Sequence, residues 1–217
     1  MAAKTATEEL ELIDLGGGHR GAGKGDPGSP GGGGSPSALT PEVYVTGIWL
    51  ALAAILMFFA ALTSSFIVRK GLSNDWAPFP LPGVLWVNTG VLLASSLTLE
   101  RARWWLRRDL AGAFRRWWMI TTVLGVLFLA GQLVAWRELA ATGVFLASNP
   151  SSSLFYVLTG THGAHLLGGV AALLYVGLRA GQAAWPRRRA ATTAASIYWH
   201  FLSGLWVFVF LLIYFGR

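Results

Sequence analysis

The stretch THGAHLLGGVAALLYVGLR, from Thr161 to Arg179, places two histidines three residues apart in an otherwise apolar run. A transmembrane helix needs about 20 mainly apolar residues to cross about 30 Å of hydrocarbon. With the residues that precede it, this run forms one such span at about 154–178. Four other segments qualify in the same way, at about 44–68, 83–99, 117–136 and 194–215. The sequence therefore predicts an all-α integral membrane bundle of five transmembrane helices.

The composition agrees with a membrane protein. Of the 217 residues, 54% are hydrophobic and 12% are charged, whereas soluble domains carry about 25% charged residues. The chain has no cysteine, which excludes disulfides, c-type haem attachment, iron–sulfur clusters and thiolate metal sites. The net charge of +7 comes from short basic runs between apolar segments, which is typical of membrane topology. We therefore expect no nucleic-acid partner.

The first forty residues differ from the rest. Residues 16–36 are mostly Gly, Pro and Ser, and such a segment has too few apolar side chains to offset the entropy lost on ordering. Acidic residues stand where a secretory signal needs a basic region. We predict a disordered cytoplasmic tail over residues 1–40 and a transmembrane domain over residues 41–217.

The arginines predict the orientation of the bundle. The connection between the second and third spans holds six arginines, and the one between the fourth and fifth spans holds four. The opposite side carries only Arg69, Lys70, Arg137 and Arg217. Since cytoplasmic loops carry the excess of Lys and Arg, we expect the amino terminus in the cytoplasm and the carboxyl terminus in the periplasm.

Ionisable residues inside the spans are the candidate site residues, because such groups face the bundle interior and commonly mark function. They are His162 and His165 on the fourth span and His200 on the fifth, with Glu100 at the cytoplasmic edge of the second. Residues three apart share one face of a helix. Beside the two histidines runs a row of small residues that lets a neighbouring helix approach closely: Gly160, Ala164 and Gly168.

Two hypotheses account for the histidines. Imidazole binds zinc, copper and iron, so three histidines are enough in number for a metal or haem site. Metal-bound histidines commonly donate to a carboxylate, and neither the fourth nor the fifth span contains an acidic residue. We therefore expect the histidines to join helices, and we assign no catalytic, metal-binding or cofactor-binding residue from the pattern alone.

Several stretches resemble subunit III of the haem–copper terminal oxidases, the cytochrome c oxidase subunit 3 family. The resemblance covers about Gly47 to Gly216, and its most specific part is YWHFLSGLWVFVFLLIY (198–214). The other matching stretches follow in the family's order: GIWLALAAILMFFAAL (47–62), NTGVLLASSLTL (88–99), GQLVAWRELAATGVFLASNPSSSLFYVLTG (131–160) and TGTHGAHLLGG (159–169).

The resemblance implies a non-catalytic subunit that packs against oxidase subunits I and II and holds membrane lipids. Haem and copper would then belong to the partner subunits, which reduce oxygen and pump protons, with the assembly in the bacterial cytoplasmic membrane. It also implies that His162, His165 and His200 contact helices or lipid, and that Arg179 binds a phospholipid headgroup.

The chain departs from the family pattern in three places. It matches only the last five of the seven helices of longer members, so their lipid-filled cleft does not transfer. Ile55 stands where the family usually carries a membrane-embedded glutamate, and Ser203 stands where an aspartate often follows the Tyr-Trp-His-Phe motif. We expect His200 to lack its charged neighbour. Two alternatives remain at this point: the accessory subunit of a nitric oxide reductase and a haem-binding membrane cytochrome.

Overall fold

The computed structural model describes residues 41–72, 81–179 and 185–216, so the predicted tail over residues 1–40 lies outside the described residues. Each predicted span falls within one helix, except that Gly83 is the residue before the second helix. In the described part of the chain the helices are α1 (Pro41–Leu72), α2 (Val84–Arg107), α3 (Ala111–Ala141), α4 (Pro150–Arg179) and α5 (Trp185–Gly216).

The helices differ in their fitness to cross a membrane. Among the described residues, α1, α3, α4 and α5 are long and apolar enough to span one. Helix α2 has 24 residues, and its carboxyl-terminal part carries Glu100, Arg101, Arg103 and Arg107. Because charged residues are costly in hydrocarbon, α2 does not qualify by composition. The fold is therefore all-helical with four candidate membrane spans.

Helices α2 to α5 form the body of the bundle. Helix α2 packs on α3 and α5, and α4 packs on α3 and α5. Helix α1 packs only on α4 and α5 among the described elements. The interior is filled by large rings, and the largest fully buried side chains include Trp118, Trp199, Trp206 and Phe128. The side chain of His162, described below, lies among these rings.

Two helices end in the same motif, which fixes the short turns that follow them. After α2, Asp109 N–H donates to Leu106 O and Leu110 N–H donates to Trp105 O. After α3, Gly143 and Val144 donate to the corresponding carbonyls. This is the Schellman motif, which requires a left-handed residue just past the helix. Asp109 has φ 59° and Gly143 has φ 80°, and aspartate is one of the few residues that tolerates this conformation.

Helix α4 begins with a proline and a reciprocal pair of hydrogen bonds. Pro150 is its first residue, where proline's missing N–H costs nothing. The Asn149 N–H donates to Ser152 Oγ at 3.1 Å, and Ser152 Oγ donates back to Asn149 O at 2.8 Å. This arrangement satisfies polar groups at the start of the helix.

Candidate functional site

His162 lies in the centre of the bundle. Its side chain is 0% exposed, and its ring centroid lies 5.0 Å from that of Trp206 on α5 and 6.0 Å from that of Phe128 on α3. On the side of α1 the nearest ring is Phe59, at 6.5 Å. Within the described residues neither ring nitrogen of His162 has a hydrogen-bond partner. The imidazole therefore packs as an aromatic ring with two unpaired polar atoms.

His165 lies one turn further along α4 and is half-buried. Its Nδ1 lies 2.8 Å from Thr161 O on the same helix. The Tyr198 hydroxyl of α5 donates to His165 O at 3.1 Å. The ring also packs at an angle against Phe59 of α1, with 5.8 Å between centroids. His165 thus contributes to contacts with both α1 and α5.

His200 pairs with an acidic residue from another helix. Its Nε2 lies 2.9 Å from Glu100 Oε1 of α2, and the same carboxylate oxygen accepts a hydrogen bond from Arg103. The expectation that His200 lacks a charged neighbour is therefore wrong. The carboxylate is supplied from α2, across the helix interface, rather than from the residue that follows the Tyr-Trp-His-Phe motif in the family.

The His200–Glu100 contact is one of four side-chain hydrogen bonds that join α2 to α5, here called the α2–α5 polar seam. Next to it, Ser96 Oγ donates to Ser203 Oγ at 3.0 Å. The two buried indoles of α5 donate at 3.0 Å to hydroxyls of α2, Trp199 to Ser95 and Trp206 to Thr89. Ser203, the third departure from the family pattern, thus has a structural role in this seam.

The Trp199 ring packs against glycines that lie outside the predicted row of small residues. Gly160 lies against Trp136, whereas Ala164 and Gly168 are exposed. A Cβ added to Gly169 would lie 3.3 Å from both Trp199 and Tyr198, and one added to Gly125 would lie 2.5 Å from Trp199. The glycines that admit the Trp199 ring are therefore Gly125 and Gly169, neither of which belongs to the predicted row.

Two surface features could contact lipid. The Arg179 side chain is exposed, and its guanidinium lies 5.3 Å from the centroid of Tyr175. A groove of about 700 Å³ runs between α1 and α5. Its walls are mainly apolar, and they include Phe59, Thr63, Ile67, His200, Gly204 and Phe208.

The three histidines do not converge on one site. His162 faces aromatic rings, His165 bonds its own helix, and His200 bonds Glu100. Among the described residues there is no group of three or more His, Cys, Asp or Glu that could hold a metal ion. The arrangement joins helices to one another.

Comparison with known proteins decides between the hypotheses. The family model described as "Cytochrome c oxidase subunit III" matches residues 42–217. The chain belongs to the cytochrome c oxidase subunit III family. A "Probable cytochrome c oxidase subunit 3" of Mycobacterium tuberculosis (strain ATCC 25618 / H37Rv) is 34% identical over 182 residues, covering 82% of this chain and 90% of the relative.

Other bacterial relatives of this subunit III chain agree. The "Probable cytochrome c oxidase subunit 3" of Nocardia farcinica is 33% identical over 182 residues, with 82% and 90% of the two chains covered. The "Cytochrome c oxidase subunit 3" of Synechocystis sp. is 31% identical over 183 residues, with 80% and 76% covered. These matches favour subunit III over the nitric oxide reductase subunit and the membrane cytochrome.

Proposed function

We propose that this chain is the non-catalytic subunit III of a bacterial respiratory haem–copper oxidase. In this role it packs against subunits I and II in the cytoplasmic membrane and supports oxygen reduction and proton pumping. Haem and copper belong to those partner subunits. The observation that carries the proposal is the family match over residues 42–217. The bundle interior agrees with it, because its polar side chains join helices to one another.

Affinity purification from native membranes tests this role. A tagged chain extracted in mild detergent should bring down a large haem-bearing subunit, so that the preparation shows a haem absorption band. The band should persist in a His162→Phe variant, because the haem is bound elsewhere. Recovery of the chain alone, or loss of the band from an otherwise intact His162→Phe complex, would contradict the proposal.

The same preparation tests lipid binding at Arg179. An exposed arginine at the end of an apolar helix suits an anionic phosphate, and the α1–α5 groove suits acyl chains. Arg179→Ala should therefore reduce the phospholipid retained by the purified complex. Arg137→Ala removes another exposed arginine, at the far end of α3, and serves as the matched control. Equal phospholipid retention by the two variants would show that Arg179 does not bind lipid.

We also propose that all five helices cross the membrane, with the amino terminus in the cytoplasm. Two features support a fifth crossing by α2. It packs along α3 and α5, and the arginines near its carboxyl end lie where a cytoplasmic interface would place them. Since α1, α3, α4 and α5 are apolar enough to span, an α2 crossing puts the α2–α3 and α4–α5 connections on one side.

Single introduced cysteines test this topology, because the chain has none of its own. A Cβ at Gly112, just after the α2–α3 turn, meets nothing within 4 Å, and Leu146, between α3 and α4, is 55% exposed. In intact spheroplasts a membrane-impermeant maleimide should label Leu146→Cys and leave Gly112→Cys unlabelled until the membrane is opened. The reverse labelling would invert the bundle, and labelling of both would place the two turns on the same side.

A further inference from the structure

Two buried polar side chains on neighbouring helices have no partners. Gln132 of α3 is 2% exposed and His162 of α4 is 0% exposed. Within the described residues, neither the amide oxygen and nitrogen of Gln132 nor the two ring nitrogens of His162 form a hydrogen bond. Among the other buried polar side chains, Asn88 donates to Phe128 O at 3.0 Å and Thr122 donates to Trp118 O at 3.0 Å, whereas Thr192 Oγ1 also has no partner within the described residues.

Contacts on either side of Gln132 place it at the level of His162. One turn before it, the Phe128 ring lies 6.0 Å from the His162 ring. One turn after it, the Trp136 indole donates to Thr159 Oγ1 of α4 at 3.1 Å. Residues four apart lie on the same face of a helix. Gln132 therefore lies between two α3–α4 contacts, and both of them meet the turn of α4 that contains Thr159 and His162.

Such a pair is costly unless something satisfies it. An amide or an imidazole that is buried without hydrogen bonds loses its bonds to water, and no bond within the protein replaces them. Nearly all buried polar atoms in known structures are therefore paired with protein or with an ordered water. A neutral imidazole offers one donor and one acceptor, and a glutamine amide offers two donors and an acceptor oxygen. A water molecule, which both donates and accepts, complements the two side chains.

We propose that an ordered water molecule binds between Gln132 of α3 and His162 of α4 and bridges the two helices. The rings of Phe59, Phe128 and Trp206 surround the imidazole, so the ligand is as small as water. Buried waters typically make about three hydrogen bonds, and one bond to a ring nitrogen of His162 with one to the amide of Gln132 is enough to bridge the helices. The site is a hydration site in the bundle interior, next to Trp206 of the α2–α5 polar seam and Phe59 of the α1–α5 groove.

A density map of the assembled oxidase, at a resolution that shows waters, tests the proposal directly. We expect a density peak within about 3.2 Å of a polar atom of Gln132 and also of a ring nitrogen of His162. Direct contact between the amide and the imidazole, with no peak between them, would overturn the proposal. So would separate hydrogen bonds from each side chain to backbone carbonyls.

A double-mutant cycle tests the coupling between the two side chains. His162→Phe and Gln132→Leu each leave the other side chain and the water with one hydrogen-bond partner fewer. Each single variant should therefore lower the melting temperature of the complex. The double variant should lower the melting temperature by less than the sum of the two single-variant decreases. Thr122→Val is the matched control, since Thr122 bonds its own helix, and its effect should add to that of His162→Phe.

The cycle remains informative if a single variant fails to fold. In that case the double variant should accumulate in the membrane to a higher level than the failing single variant, because no polar atom is left unpaired. Additive losses in the double variant, or accumulation no better than that of the single variants, would show that the two residues are independent and would overturn the proposal.

Discussion

At the scale of single residues, three imidazoles in one bundle have three different environments. His162 packs among rings, His165 bonds the carbonyl of Thr161, and His200 bonds a carboxylate that also holds Arg103. Only the last of these is positioned to respond to the charge of another helix. Because the Glu100 and His200 side chains are 45% and 34% exposed, their pairing contributes less than that of a fully buried ion pair.

Removing the Glu100 carboxylate should weaken the attachment of α2 to α5. We expect Glu100→Ala to lower the free energy of unfolding by about 0.2–1 kcal/mol, the range of solvent-exposed ion pairs, and Glu100→Gln to lower it by less. Glu138→Ala removes an exposed carboxylate from α3 and should have little effect. Unfolding in increasing dodecyl sulfate, followed by circular dichroism, measures all three. Equal stability of Glu100→Ala and Glu138→Ala would show that the Glu100–His200 pair does not stabilise the bundle.

At the scale of helices, α2 depends on its neighbours more than the others do. Its composition does not qualify it as a span, yet it is fastened to α5 along the whole α2–α5 polar seam and packs along α3. With α2 crossing the membrane as proposed, the indole and hydroxyl groups of this seam have no water to replace a lost partner. Polar contacts with α5 therefore compensate for the weak hydrophobicity of α2.

Replacing Trp199 by phenylalanine removes one bond of the seam. The donor to Ser95 is lost, and so are the Cη2 and Cζ2 atoms of the ring that lie against Gly125. We expect a loss of at least about 0.6 kcal/mol in unfolding free energy, the average for one interhelical hydrogen bond, plus the cost of the space that the smaller ring leaves. Trp49→Phe makes the same change at a tryptophan that is 58% exposed and should be nearly neutral. If both variants melt alike, the indole N–H does not stabilise the seam.

The helices could be predicted from sequence because length and hydropathy are local properties. All five apolar runs fall in helices, and the charges that limit α2 are visible in its sequence. The pairing of Glu100 with His200 could not be predicted, since it depends on the register between helices one hundred residues apart. The predicted row of small residues includes Gly168, whereas the close approach to Trp199 occurs at Gly169. A helix turns about 100° per residue, so that single step separates a lipid-facing glycine from a buried one.

At the scale of the whole molecule, α1 is the least integrated of the four candidate spans. In its most apolar window 22% of residues are buried, against 39% in α3 and 50% in α5. Its contacts with the described helices are limited to α4 and α5. Regions with few buried contacts open at the lowest free energy. Helix α1 should therefore unfold or dissociate before helices α2 to α5.

Hydrogen exchange can detect this order. With the isolated chain in mixed micelles, stepwise addition of dodecyl sulfate should remove exchange protection from residues 46–72 before residues 111–141. Mass spectrometry of peptides from the two helices gives both curves from one sample, so α3 is the internal control. Simultaneous loss of protection would show instead that the five helices unfold as one cooperative unit.

The peripheral position of α1 also has a consequence for synthesis. Helix α1 leaves the ribosome before the other described helices, and its partners among them, α4 and α5, begin at Pro150 and Trp185. At about 5–20 residues per second, several seconds pass before the first of these partners is synthesised. The nascent chain must therefore keep its first helix from pairing with foreign helices until its own last two have been made.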